Sequence, residues 1–189
     1  MDADVGEVLL ARWSPTSWDT NHELAAGAVD HLLEAARWSP SAGNSQPWSF
    51  VTAHRGDATH ARLVPLLAAG TRRWALDASL LVVNLCHRFV EGTDWDYSEF
   101  AEYDLGQSVA HLTIQAQAMG LHTRQFRGFD RDAVEAELDV PKHWVAMTMT
   151  AVGRPAPGAG PGGRERRPRP DLVWSPVAPG HDLGGNPAR

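Results

Sequence analysis

The chain has 189 residues, of which 43% are hydrophobic and 21% charged, and its formal net charge is −6. These values predict one globular domain with a sizeable core, and the negative charge disfavours a general nucleic-acid-binding protein, whose surface is normally basic. Cys86 is the only cysteine, which excludes an intrachain disulfide and cysteine-based zinc sites. Because no signal-peptide pattern and no apolar run of roughly 20 residues is present, we expect a cytoplasmic protein that does not contact a membrane.

Helices and strands alternate along the predicted chain. Apolar residues at helical spacing, or a capping residue before a helical stretch, predict five helices, over residues 5–12, about 22–37, roughly 58–69, about 99–119 and 132–139. Pro65 would kink or end the third, and Asp130 caps the fifth. Strands are predicted over 48–54, 79–86 and 144–153. This order favours an α/β or α+β domain with one mixed sheet.

The 99–119 helix carries apolar residues on more than one face. That pattern is typical of a helix that is central in its domain or that forms part of a subunit interface. In the first case the outer face packs inside the same domain, and in the second it packs against another subunit. The sequence pattern is compatible with both.

The composition changes after Gly153, and eight of the thirteen prolines lie in residues 154–189. We predict a domain over 1–153 and an arm over 154–189 that lies across another surface or is disordered. Gly158-x-Gly160-x-x-Gly163 does not form a dinucleotide site, because no strand precedes it and a poor helix start follows it. The arm's arginines are either a solvated basic patch or a phosphate-binding cluster.

The stretch SPSAGNSQPWSF, residues 39–50, has more small, amide and backbone hydrogen-bonding groups than a brief turn needs. It is either an ordinary helix-to-strand turn anchored by Trp48 or a loop that presents backbone groups to a ligand. No histidine, cysteine or serine pattern in the chain predicts a metal site or a catalytic side chain.

Six motifs taken together resemble the FMN-dependent nitroreductase family. They are RWSPTSW (12–18), AARWSPSAGNSQPWSFV (35–51), YDLGQSVAHLTIQAQAMGLHT (103–123), GFD (128–130), AVGRPA (151–156) and RERRP (164–168). The resemblance implies an α+β fold with a mixed central sheet flanked by helices, an intertwined homodimer with an extended C-terminal arm, and two FMN molecules in the subunit interface.

The resemblance also implies which residues bind FMN. The phosphate and ribityl chain would meet the N-terminal motif and the arm, the loop would approach from the partner subunit, and backbone groups of residues 125–128 would face the flavin edge near N5. The implied contacts are Arg12, Trp13, Ser14, Thr16, Pro40, Ser41, Ala42, Asn44, Gln125, Arg127, Gly128, Arg164 and Arg166.

Thr16 departs from the family pattern, which usually has a basic residue at this position. A positive group near N1 and O2 stabilises the anionic reduced flavin. Either Arg72 or Arg73 takes over that role, or the reduced flavin is less stabilised in this protein.

The implied reaction is hydride transfer from NAD(P)H to the flavin, followed by reduction of a nitroaromatic, quinone or similar small electron-poor acceptor in the same cavity, in ping-pong order. Trp95, Tyr97 and Phe100 are candidates for the substrate-cavity wall, with core packing as the alternative. Other possible functions are a flavin-dependent dehydrogenase, dehalogenase or flavin-fragmenting enzyme acting on a specific compound, and a non-catalytic flavin-binding regulatory protein.

Overall fold

A four-stranded sheet forms the centre of the structure, a computed structural model that describes residues 5–174. The strands are β1 (Trp48–His54), β2 (Leu80–His87), β3 (His122–Phe126) and β4 (Trp144–Gly153). Their order across the sheet is β1-β2-β4-β3, so β1 and β3 are the edges. The helices are α1 (Glu7–Ala11), α2 (Ala28–Arg37), α3 (Ala58–Leu63), α4 (Ala69–Ala75), α5 (Ala101–Ala118) and α6 (Arg131–Glu137).

The predicted α+β class is confirmed. The sheet differs from the expected mixed sheet, because all three strand pairings among residues 5–174 are antiparallel. A parallel pairing would require a further strand at the β1 or β3 edge. Residues 175–189 of the predicted arm lie outside the described part of the chain.

Strand β2 is buried because helices cover both faces of the sheet, as its continuous apolar sequence predicts. One face packs under α2 and α5, through Leu32, Leu80, Val82, Leu112 and Val152. The other face packs against α3, α4 and α6, through Leu63, Ala75, Leu81, Val83 and Val134. Successive β2 residues alternate between the two clusters, as the period of a strand requires.

Most predicted elements are present with shifted bounds. Helix α2 begins at Ala28 and not near residue 22, because Gly27 has a left-handed backbone (φ 77°) that helical residues do not adopt. Helix α3 ends at Leu63, and a short 3-10 turn containing Pro65 follows. The Asp130 side chain accepts a hydrogen bond from Ala133 N at 3.1 Å and caps α6 as predicted.

Two elements, α4 and β3, were not predicted. Helix α4 has seven residues and no side-chain cap, so it carries no start signal. Strand β3, HTRQF, lies at a sheet edge and is therefore mostly polar. Edge strands need little apolar alternation, which removes the pattern that identifies inner strands.

No helix among residues 5–174 combines the length and the apolar character needed to cross a bilayer.

Cys86 gives a direct test of the packing of β2. Its side chain is fully buried, and burial, with a smaller contribution from Glu102, raises the pKa of the thiol to about 11. We expect no rapid reaction with a thiol-modifying disulfide reagent at about pH 8, because the side chain is fully buried and little of it is in the reactive thiolate form. One thiol per chain should react after denaturation. Rapid reaction of the native protein would contradict the described packing.

Candidate functional site

The N-terminal motif and the start of the arm come together in the structure. Arg12 Nη1 donates a hydrogen bond to Ser14 Oγ at 3.2 Å, and Arg164 Nη2 donates to the Arg12 carbonyl oxygen at 3.0 Å. The arm reaches this position because its first residues pair with the segment around Trp18, where Ala156 N donates to Ser17 O. Residues 152 positions apart in sequence are thereby in contact.

A basic cavity of about 310 Å³ lies between these segments. Its lining residues are Arg12, Trp13, Ser14, Gly162, Gly163, Arg164 and Arg166. Gly162 has open space where a side chain would lie, whereas the Glu165 carboxylate occupies that space at Gly163. Guanidinium groups match phosphate oxygens in geometry and charge. The donor set therefore fits a phosphate group.

A second cavity, of about 410 Å³, adjoins the first and shares Arg12 and Ser14 with it. It is completed by Leu9, Ala110, Thr113, Ile114, Thr123 and Gln125. Gln125 Nε2 donates to Thr113 Oγ1 at 3.1 Å, which ties β3 to α5 across this cavity. The mixture of hydroxyl, amide and aliphatic groups suits an organic ligand attached to the phosphate.

The chain after β3 packs against α4, where Ala68 N donates a hydrogen bond to Gly128 O. An added Cβ at Gly128 would lie 2.0 Å from Thr71 Oγ1, so only glycine allows this turn to pack against α4. The Arg127 side chain is engaged within its own turn, where Nη1 donates to Phe129 O at 2.9 Å and the guanidinium lies 4.4 Å from the Phe129 ring centroid. Any ligand contact of residue 127 is therefore expected from its backbone.

The loop 39–46 forms a third cavity, of about 270 Å³, that shares no residue with the other two. Pro40, Ser41 and Ala42 line one side, and Phe100, Tyr103, Asp104 and Gln107 of the α5 region line the other. Gly43, Asn44 and Gln46 all have positive φ, which explains the glycine and the amides of this loop. Trp48 packs against the buried cluster around Cys86 and anchors the loop to the sheet.

Asp104 holds this loop in place. Its carboxylate is 2% exposed; Oδ2 accepts a hydrogen bond from Ala42 N at 2.9 Å, and Oδ1 accepts from Gln107 Nε2 at 3.2 Å. Among residues 5–174 no cation pairs with it, so the burial of this charge has to be compensated by these hydrogen bonds.

Two of the three predicted substrate-cavity residues line the loop cavity or hydrogen-bond to the loop, and the third does neither. Phe100 lines the loop cavity, and the Tyr97 hydroxyl donates to Ser45 O at 3.2 Å while its ring stacks on His87. Trp95 is 75% exposed and lines none of the three cavities. Thr16 and Asn44 are exposed and also line none of them in the single chain.

Sequence reasoning did not identify Tyr103, Asp104 or Arg124. Tyr103 is 68% exposed beside the loop, although it belongs to a helix that was predicted. Arg124 belongs to β3, and its guanidinium bridges the Ser14 carbonyl and the Trp74 ring. In the sequence these three residues are marked only by a charge or an aromatic ring. Neither property shows which way the side chain points in the folded chain.

Comparisons with known proteins identify related proteins. The model of the nitroreductase family matches residues 9–78. The chain is 30% identical to 5,6-dimethylbenzimidazole synthase of Rhodospirillum rubrum (76% of this chain, 75% of that protein) and 23% identical to the oxygen-insensitive NAD(P)H nitroreductase of Salmonella typhimurium (79% and 88%). A solved structure described as an oxidoreductase containing FMN superposes with a TM-score of 0.76 at 29% identity, covering 82% of this chain and 79% of that one.

We expect Asp104→Ala to lower the free energy of unfolding by roughly 1–3 kcal/mol, because the half-buried Ala42 N–H loses its acceptor. Asp104→Asn keeps an acceptor oxygen and should lose less. Urea titration and hydrogen exchange at the Ala42 amide measure both effects. The matched control is Glu102→Ala, whose carboxylate is exposed on the same helix. Equal stability of Asp104→Ala and the control would show that Asp104 does not fix the loop.

Proposed function

The chain belongs to the nitroreductase family, and we propose that it acts as an FMN-dependent NAD(P)H oxidoreductase that reduces nitroaromatic, quinone or similar electron-poor acceptors by a ping-pong mechanism. The observation that carries this proposal is the pair of adjoining cavities around Arg12 and Ser14, one basic and one lined by hydroxyl, amide and aliphatic groups. Together they match a phosphate joined to a polyol chain and a flat ring. The cytoplasm stays the predicted setting.

The residues present fit FMN. Arg12, Arg164 and Arg166 would hold the phosphate, and Ser14 would hold the start of the ribityl chain. The backbone of residues 125–128 would face the ring. Residues 125 and 126 belong to edge strand β3, which leaves one row of its N–H and C=O groups unpaired within the sheet. When bound, FMN accepts hydride from NAD(P)H and delivers electrons to an acceptor, and the protein supplies binding and orientation.

A homodimer would unite the loop with this site. The loop cavity lies beside the N-terminal half of α5, and the cavity of about 410 Å³ lies beside its C-terminal half. Asp104 and Thr113 are nine residues apart, or about 13 Å along the helix axis. If two copies pack through α5 around a two-fold axis, the N-terminal half of one helix meets the C-terminal half of the other. Each loop then reaches the FMN site of its partner.

Gly106 supports this packing. It lies within α5 and is exposed, and an added Cβ would meet no atom of this chain within 4 Å. Glycine inside a helix is unfavourable by about 1 kcal/mol relative to alanine, and nothing in the described chain requires it here. Close approach of a second subunit explains both Gly106 and the exposed Ala110 one turn later.

The loop cavity is the proposed place where reductant and acceptor bind in turn. Phe100 and Tyr103 offer aromatic faces for stacking against a planar molecule, and Tyr97 holds the loop through Ser45. A cavity of this size admits one ring system at a time, so the oxidised nicotinamide would have to leave before the acceptor enters. No side chain is required to transfer a proton, since water reaches the open cavity.

The relative named 5,6-dimethylbenzimidazole synthase favours a second candidate, a reaction in which the bound flavin is itself consumed. The two candidates differ in the fate of the flavin after reduction. A reductase returns its cofactor to the oxidised state, whereas the second candidate loses it.

The visible absorption spectrum tests the proposal. We expect the purified or FMN-reconstituted protein to show oxidised-flavin bands that disappear on anaerobic addition of NADH or NADPH and return when a quinone is added. Bands that disappear and do not return after oxygen enters would favour the second candidate. A protein that binds no FMN would contradict both.

Replacing Gly106 tests the proposed dimer. Gly106→Glu should leave the single chain as stable as before or more stable, because its Cβ has open space and helix propensity improves. It should abolish the dimer in sedimentation analysis and weaken FMN binding at least tenfold, because the glutamate would be buried against the partner helix. Ala61→Glu, on the exposed side of α3, is the control. A dimeric Gly106→Glu protein with normal FMN affinity would contradict the α5 packing.

A further inference from the structure

Arg124 adds a positive charge beside Ser14, next to the proposed cofactor site. Among residues 5–174, Arg12 is the only basic residue that lines the cavity assigned to the organic part of the ligand. Thr16 stands where a basic residue was expected, and its side chain is uncharged. Arg12, Arg164 and Arg166 line the cavity assigned to the phosphate. Reduction of a flavin adds two electrons and one proton and leaves one negative charge on its ring, so a cation beside the ring stabilises the reduced form.

The guanidinium of Arg124 is held at two points. Nη1 donates a hydrogen bond to Ser14 O at 3.0 Å, and the guanidinium carbon lies 5.1 Å from the centroid of the Trp74 ring. Trp74 is itself fixed by an edge-on contact with Phe126, at 5.2 Å between ring centroids. Contact between a planar guanidinium and an aromatic face fixes direction as well as position.

The location of this charge follows from the alternation of side chains along β3. Thr123 and Gln125 line the cavity beside α5, while Arg124 points to the other face of the sheet edge, towards α4. Arg124 therefore joins Ser14 of the N-terminal motif to the segment 125–128. In FMN the ribityl chain leaves the ring at N10, one carbon away from N1. If the chain follows Ser14 and the ring faces residues 125–128, the charge of Arg124 would lie near this junction and could act on N1.

Arg72 and Arg73 are less suited to this role. Thr71 and Trp74 are three residues apart on α4 and share the face that meets Gly128 and Arg124. Arg72 and Arg73 lie off this face and are exposed, and neither side chain bonds to any residue between 5 and 174. They therefore lack the contacts that would direct a charge towards the ring.

We propose that Arg124, held between Ser14 and Trp74, is the residue that stabilises the reduced flavin and so sets the reduction potential of the cofactor. The proposal rests on the proposed function, because it requires bound FMN. Arg124 acts through its charge, so removal of the charge should change the affinity for reduced FMN more than the affinity for oxidised FMN.

The test is the midpoint potential of bound FMN, measured by equilibration with a reference dye. Arg124→Gln should lower the ratio of reduced to oxidised FMN affinity about tenfold, which is a fall of about 30 mV for a two-electron couple. Arg124→Met, which keeps a long side chain over Trp74, should show the same fall. Arg124→Lys should keep most of the wild-type potential, because the charge remains.

Two controls separate the charge from the fold. Arg72→Gln and Arg73→Gln should leave the potential unchanged, and Arg124→Gln combined with Thr16→Lys should regain part of the lost potential. An unchanged potential in Arg124→Gln and Arg124→Met, with FMN bound, would overturn the proposal. So would a fall in Arg72→Gln or Arg73→Gln instead. Failure of the wild-type protein to bind FMN would overturn the proposed function itself, which is a separate outcome.

Discussion

Helix α5 has to satisfy two surfaces, and the rest of the site depends on how it does so. Its inner face, with Leu105, Val109, Leu112 and Ala116, closes the core over the sheet. Its outer face exposes Gly106 and Ala110. The loop cavity adjoins its N-terminal half, and the cavity of about 410 Å³ adjoins its C-terminal half. The small residues Gly106 and Ala110 leave room on this face for another helix to approach closely. A second copy of the chain would cover it and would complete the cavities at the same time.

The polar groups of the site are held by a few hydrogen bonds to fixed elements. Asp104 holds the loop at Ala42, Arg164 holds the arm at Arg12, and Arg124 holds the N-terminal motif at Ser14. Each of these bonds joins two segments that are distant from each other in the sequence. In the proposed function these bonds would orient the cofactor, because they fix the backbone and guanidinium groups that bind it.

The sequence predicted three of the four strands and helix α5 well, including edge strand β1 with the predicted bounds, but it missed β3 and α4. Strand β4 has the predicted bounds, and α5 and β2 are within one or two residues of theirs, because burial imposes an apolar pattern on them. Strand β3 and helix α4 carry no such pattern, yet they position Arg124, Gly128 and Trp74. The motifs named Arg12, Ser14 and the 39–50 loop as neighbours of a ligand. They could not show that the loop and the arginines line separate cavities of one chain. That separation depends on the position of α5 in the folded chain, because the two cavities that it borders lie beside different halves of the helix.

The most direct test of a site shared between two subunits is the FMN content of a mixed dimer. One chain carries Arg12→Ala and Arg164→Ala, which remove phosphate contacts, and the other carries Ala42→Trp, which obstructs the loop. Each variant alone should bind no FMN. A mixed dimer should bind one FMN, because one of its two sites combines the intact arginines of one chain with the intact loop of the other. A mixed dimer without FMN, formed from variants that fold and associate, would contradict the shared site.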